Sequence, residues 1–164
     1  MPTVSSPKRA DQSNMQDPLL AALELAHQAA TEDEVPVGAV IVHEGKIIAR
    51  GKNTREQKQN PLGHAELSAI QEAASTLNSW RLNRCQLYVT LEPCPMCLSA
   101  CQQARIEKVI YGAKDEKGGA LCLGFHIHAD SRTNHRFEVE YQPNEECSKV
   151  LKDFFSKKRN EKKT

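Results

Sequence analysis

His64, Glu66, Cys94 and Cys97 are the residues of this chain whose types and spacing can do chemistry. The two cysteines form a C-x-x-C within Pro93-Cys94-Pro95-Met96-Cys97, and His64-Ala65-Glu66 precedes a stretch of apolar residues at helical spacing. A C-x-x-C at the start of a helix can turn both sulfurs toward one metal ion, where the positive end of the helix dipole and the metal together keep the thiols ionised. With the His64 imidazole they make three ligands. That is one short of the tetrahedron that structural zinc sites close with protein groups, so the fourth position is open to water. Zinc lowers the pKa of such a water to about 7, and a carboxylate beside it can take the proton and hand it on. Glu66 points roughly 200° round a helix from His64, which suits it to serve the water rather than the metal. The chemistry implied is addition of hydroxide to an amidine-like carbon, followed by loss of ammonia.

Each of these residues also has a plainer reading. Alone, Cys94 and Cys97 read as a buried pair or a redox motif, and Glu66 as an acid that favours a helix N-terminus. Cys85, Cys101, Cys122 and Cys147 stand singly, as small buried hydrophobes do. Six cysteines in a chain of this size without an export signal do not read as a disulfide framework. Asn53 is by type a turn residue, and His126, His128 and His135 lack the carboxylate or cysteine spacing of a second metal site.

The elements that must position these groups follow from periodicity. Residues 18–31 read as an amphipathic helix opened by Pro18, which Glu32, Asp33 and Glu34 end. Residues 37–42 and 46–50 are β-rich runs on either side of a glycine-containing turn, the pattern of a hairpin. A polar loop covers 53–63. Leu67, Ile70, Ala73, Ala74 and Leu77 then share one face of a helix starting at or just before His64. Residues 86–91 form a β-prone strand, and Pro95 suits the first turn of a helix starting at Cys94. Short strands are expected at 108–112 and 137–141, while 118–135 follows no period. Cys147, Val150, Leu151, Phe154 and Phe155 make the stripe of a last helix that should dock on the sheet. Alternating strands and helices of this kind predict an α/β domain of about five strands with helices on both faces.

Composition is consistent with one such domain. The 164 residues suffice to bury roughly two thirds of the surface the unfolded chain exposes. A share of 39% hydrophobic and 26% charged residues excludes disorder as the global state. No run approaches the ~20 apolar residues that cross a bilayer. Residues 1–17 are polar, with no apolar signal core, so the expected location is the cytoplasm. These 17 residues are expected to be a flexible N-terminal extension, 18–160 a single domain and 161–164 a basic tail. The net charge of +1 hides an asymmetry, because the last eight residues, KKRNEKKT, carry +4 and leave −3 for the rest. Such a tail is either a strip for an anion or a solvated end.

His-x-Glu with Pro-Cys-x-x-Cys is the signature of the zinc nucleobase deaminases. More closely, the chain resembles the bacterial tRNA-specific adenosine deaminases, within the zinc-dependent cytidine and deoxycytidylate deaminase superfamily. The matching stretches are EVPVGAVIV (34–42), Gly51-Lys52-Asn53, HAE (64–66), LYVTLEPCPMC (87–97), ARI (104–106), VIYGAKD (109–115), NHR (134–136) and EECSKVLKDFF (145–155), covering most of the chain from Leu19 onward. The resemblance implies a three-layer α/β/α cytidine-deaminase-like fold with a mixed sheet, a homodimer, and one zinc ion per subunit held by His64, Cys94 and Cys97. It also implies hydrolysis of adenosine to inosine at the wobble position of a tRNA, that of arginine, with Glu66 catalytic. By the same resemblance Asn53 bonds the purine edge, the Val37-Gly38 backbone walls the pocket, and Ala65 and Asp115 contact the substrate. Phe155 with Lys157, Lys158 and Arg159 then grips the anticodon stem-loop. Two departures stand out. Leu62-Gly63 replaces the family's Thr-Ala pair before the histidine, and Leu121-Cys122-Leu123-Gly124 replaces its Gly-Ser-Leu. Two other functions compete: a deaminase of free guanine, cytosine or a nucleoside using the same zinc site, and a zinc-stabilised RNA-binding module without catalysis. The basic tail argues against the first. The second requires a fourth protein ligand, which is not seen, and leaves Glu66 without a task.

Overall fold

A computed structural model describes residues 16–163, so most of the expected N-terminal extension lies outside the described residues. The chain folds as α1 (Pro18–Thr31), β1 (Gly38–His43), β2 (Lys46–Lys52), α2 (Ala65–Leu77), β3 (Cys85–Val89), α3 (Pro95–Gln103), β4 (Lys108–Tyr111), a short 3-10 turn (Ile127–Ala129), β5 (Glu138–Tyr141) and α4 (Glu145–Lys162). The five strands form one mixed sheet in the order β2-β1-β3-β4-β5. β1 is antiparallel to both β2 and β3, while β3, β4 and β5 run parallel. No helix among the described residues is long and apolar enough to cross a membrane.

Local chemistry sets most of the boundaries. The Asp17 carboxylate accepts from the Leu19 amide at 2.9 Å and caps α1, with Pro18 in its first turn. Glu44 and Gly45 both take positive φ, which matches the primed turns that join right-twisted strands into a hairpin. His64 and Cys94 are the N-cap residues of α2 and α3, so both motifs sit at helix starts. Asn78 in the left-handed region stops α2.

The strand period of two distributes side chains to two layers. Ala39, Ile41, Leu87, Val89 and Val109 face α2 and α3, where they join Leu82, Leu98, Cys101 and Ile106 in the larger core. Val40 and Tyr88 face α1 on the opposite side. The buried stripe of α2 is Ala65, Ala69 and Ala73, whereas Leu67, Ile70, Ala74 and Leu77 are only half-buried. The larger apolar residues, expected to be the core face, therefore lie at its flank. Close approach is the cause: a Cβ on Gly51 would lie 2.2 Å from the Ala65 carbonyl oxygen and 2.7 Å from the Ala69 nitrogen. Only small residues fit between α2 and β2.

The last helix also differs from expectation. Its stripe does not dock along its full length, because only Cys147 and Val150 are buried. They join Leu19, Leu23 and Ala26 of α1, with Ala113 beyond β4. Leu151 and Phe154 are half-buried and Phe155 is 44% exposed. A helix of 18 residues is about 27 Å long, and it packs chiefly on α1, with Lys158 near its end paired with Asp33. Helical structure continues through Lys162, past the expected start of the tail.

Gly51→Ala is expected to destabilise the fold by about 1–3 kcal/mol through overpacking. Chemical denaturation measures this directly. An unchanged midpoint would show that α2 can shift away from β2 without loss.

Candidate active site

The carboxyl ends of β3 and β4, the start of β1 and the end of β2 lie at one end of the sheet, where α2 and α3 begin. Crevices at the carboxyl ends of parallel strands are the usual sites of ligand binding in α/β folds. Here a cavity of about 150 Å³ is lined by Val35, Val37, Asn53, Arg55, His64, Ala65, Glu66, Leu91, Glu92, Cys94 and Asp115. A volume of that order accepts a single planar ring system.

At its floor His64 Nδ1 lies 3.6 Å from Cys94 Sγ and 3.4 Å from Cys97 Sγ. The three donor atoms are all within 4.8 Å of one another. Ligand distances of 2.3 Å for sulfur and 2.0–2.1 Å for nitrogen, at the tetrahedral angle, separate S from N by about 3.5 Å. The donor set and its spacing therefore fit zinc. The Cys94 thiol is drawn down to about 4, first by its hydrogen bond with Cys97 and then by that with His64, against the cost of burial. The Cys97 thiol is pushed up by the same bond to Cys94 and by burial. The bond to Cys94 also raises His64. Glu66 is 4% exposed, and burial raises its carboxyl above the usual range. It stands beside the donors as a group able to carry a proton.

Two buried carboxylates, neither singled out by the sequence reading, hold the walls. Glu34 is fully buried and accepts from the Glu56 and Gln57 amides at 2.8 and 3.1 Å, which pins the 53–63 loop. Glu92 is 3% exposed and accepts from the Asp115 amide at 3.3 Å, the Cys122 amide at 3.0 Å and the Cys122 thiol at 2.9 Å. Glu92 thus ties together the turns after β4. A signal was present in the sequence: each acid lies one or two residues before a proline, Pro36 or Pro93, that is itself fully buried. Arg55, Val35 and Leu91 were likewise not anticipated as lining residues.

The expected substrate residues divide. Val37, Asn53, Ala65 and Asp115 line the cavity with the donors. Asn53 is 7% exposed; its Nδ2 donates to the Val35 carbonyl at 3.2 Å and its Oδ1 accepts from the Arg55 amide at 3.1 Å. One amide hydrogen and one lone pair remain for a ligand. Asp115 Oδ1 accepts from the Lys117 and Gly118 amides, so this carboxylate also shapes its own turn. Gly38 is not among the lining residues. A Cβ there would lie 1.9 Å from the Ala22 carbonyl oxygen, so Gly38 faces α1 and lets that helix approach. Phe155, Lys157, Lys158 and Arg159 do not line the cavity either. Lys158 is paired with Asp33, just beyond the end of α1, and lies 3.8 Å from Glu161. The acids that end α1 are therefore all engaged, since Glu32 pairs with Lys52 at 2.5 Å.

The sequence profile of the MafB19-like deaminases matches residues 13–159. A tRNA-specific adenosine deaminase of Aquifex aeolicus is 49% identical over 142 residues, which is 87% of this chain and 94% of that protein. Among solved structures, a tRNA:A34 deaminase studied for A-to-I editing at the wobble position superposes with a TM-score of 0.77 at 38% identity, covering 82% of this chain and 98% of that one. A guanine deaminase of Bacillus subtilis superposes with a TM-score of 0.58 at 34% identity, covering 87% and 92%.

The donor cluster that could hold a metal comprises His64, Cys94 and Cys97 and not the acid beside them. Cys94→Ala is expected to lose bound zinc, whereas Glu66→Ala retains about one ion per chain. Metal analysis of the purified variants decides this. A zinc-free Glu66 variant would make that carboxylate a ligand.

Proposed function

The chain belongs to the MafB19-like deaminase family, and from that premise we propose that it hydrolyses adenosine to inosine at the wobble position of a tRNA, that of arginine, releasing ammonia. The observation that carries this reading is the His64-Cys94-Cys97 donor cluster beside the buried Glu66 carboxyl, on the floor of a cavity sized for one base. The relatives named for tRNA adenosine support the substrate.

Zinc held by His64, Cys94 and Cys97, one ion per subunit, would supply a water whose pKa is lowered to about 7. Glu66 would serve as the proton carrier. A carboxylate oxygen would take one proton of the attacking water and pass it to the purine ring nitrogen as the C6–O bond forms. It would then take the proton of the new C6 hydroxyl and pass it to the amine, whose C6–N bond breaks to release ammonia and leave the C6 carbonyl. Burial suits it to both halves of this transfer, because a carboxyl raised above its usual range holds a proton more readily. Asn53 bonds the purine edge with the amide hydrogen and lone pair left to it. Val37 and Ala65 wall the ring, and the Asp115 turn borders the neighbouring nucleotide.

Outside the cavity, the exposed Phe155, Lys157 and Arg159 toward the end of α4 receive the anticodon stem-loop. Lys158 contributes by holding that end to Asp33. The half-buried Leu67, Ile70 and Leu77, with the exposed Leu62, Leu123 and Phe125, supply apolar surface for a homodimer. The enzyme acts in the cytoplasm.

The guanine deaminase likeness keeps a free base open as a second substrate class, and one assay separates the two. The purified protein is incubated with an anticodon stem-loop carrying adenosine at the wobble position, and in parallel with free adenosine, guanine and cytosine, and ammonia and inosine are measured. Inosine in the stem-loop, with little turnover of the free compounds, is the expected result. Equal or better turnover of guanine would overturn it. Replacing Lys157 and Arg159 together by Glu should reduce the slope of log affinity against log salt for the stem-loop by up to ~2. Zinc content and melting temperature should stay the same. An unchanged slope would remove the α4 end from the RNA site.

A further inference from the structure

We propose that Arg55 binds the phosphate flanking the target adenosine, and thereby selects a nucleotide held within an RNA chain over a free nucleoside or base. The inference rests on the deaminase reading above and concerns what that site recognises beyond the base.

The cavity has room for a ring system and little more, so the ribose and its two phosphates must lie at the mouth. The charged groups lining it are mostly acidic: Glu66, Glu92 and Asp115. Glu66 and Glu92 are buried and Asp115 is half-buried, and a lining of acidic groups offers a phosphate backbone no attraction. Arg55 is the one Lys or Arg among the lining residues, and it is exposed. Among the described residues, no ion pair or side-chain hydrogen bond engages its guanidinium. Lys52 and Lys158 differ in this respect, being paired with Glu32 and Asp33.

The backbone that carries Arg55 is held on several sides. Its amide donates to Asn53 Oδ1 at 3.1 Å, and its carbonyl accepts from the Asn60 amide at 3.0 Å. The next two amides are bound by Glu34 at 2.8 and 3.1 Å. Gly63 presses against the same turn, where a Cβ would lie 3.0 Å from the Arg55 nitrogen. Asn53, placed against the purine edge, is thus bonded directly to the residue assigned to the phosphate. An arginine presented from an ordered turn loses less freedom on binding, and its planar fork matches two phosphate oxygens at once. A neutral free base would leave this cation without a partner.

The test uses the full-length zinc-loaded protein and two probes: the anticodon stem-loop, and a trinucleotide with adenosine in the middle whose flanking phosphates are replaced one at a time by neutral methylphosphonates. R55Q should weaken stem-loop binding about ten- to hundredfold. The slope of log affinity against log salt should fall by about 0.7–1, one phosphate's worth. R55K should recover the slope and only part of the affinity, because it restores the charge without the fork. One methylphosphonate should weaken the wild type as much as R55Q does and cost R55Q nothing further. Zinc content and melting temperature should be unchanged in both variants. Wild-type affinity and salt slope in R55Q, or equal methylphosphonate penalties in both proteins, would overturn the assignment. The deaminase reading fails by a different result, a wild-type protein that leaves the stem-loop adenosine intact while the binding comparison still decides Arg55.

Discussion

The approach of α2 to β2 is the constraint on which the site depends. With the Ala65 carbonyl 2.2 Å from where a Gly51 Cβ would stand, the first turn of α2 sits directly on the sheet, and His64 and Glu66 are carried with it. The helix buries alanines rather than leucines along this contact because no larger side chain fits. Donor atoms able to hold a metal ion need an accuracy of a few tenths of an ångström. A rigid helix start, packed against a strand on one side and beside α3 on the other, can hold that better than a loop.

The walls depend on a second device, the buried carboxylate that accepts backbone N–H groups. Each loop around the cavity lacks regular structure of its own, so its amides need partners. Glu34 and Glu92 provide them from residues that are themselves fixed by the ends of α1 and β3. Removing either acid would take from these amides a charged acceptor, a hydrogen bond worth roughly 1.5–3 kcal/mol each. The acidic run after α1 has three separate tasks: Glu32 holds β2, Asp33 holds the end of α4, and Glu34 holds the loop that carries Asn53 and Arg55. Pocket and terminal helix are thereby tied to one short turn.

Charge is distributed accordingly. Acids gather where loops must be anchored and beside the candidate metal donors, which leaves the interior of the site lined by acidic groups. Cations able to meet an anionic substrate are then needed at the mouth and along the outer helix. The exposed Arg55 stands at the first, and Lys157 and Arg159 at the second.

Much of this was legible in the residues themselves. Element order, the hairpin at Glu44-Gly45 and the helix starts at His64 and Cys94 follow from local periodicity, turn chemistry and proline placement, which act over a few residues. The identity of the donors and of Glu66 is likewise a matter of residue type and spacing. Contacts distant in sequence were not legible. Val37 and Gly38 are adjacent, yet one lines the cavity and the other faces α1, because a strand sends successive side chains to opposite sides. The stripe of α4 has the right period through Phe155, yet α4 packs chiefly on α1 rather than along the sheet, and Phe155 stays exposed. Lys158 belongs to a basic run, yet Asp33, 125 positions earlier, claims it. The local pattern determined which elements form and which residues can bind metal. Only the tertiary structure decided which loops meet them, since which amides a buried carboxylate receives and which acid a lysine reaches depend on chain segments brought together by packing.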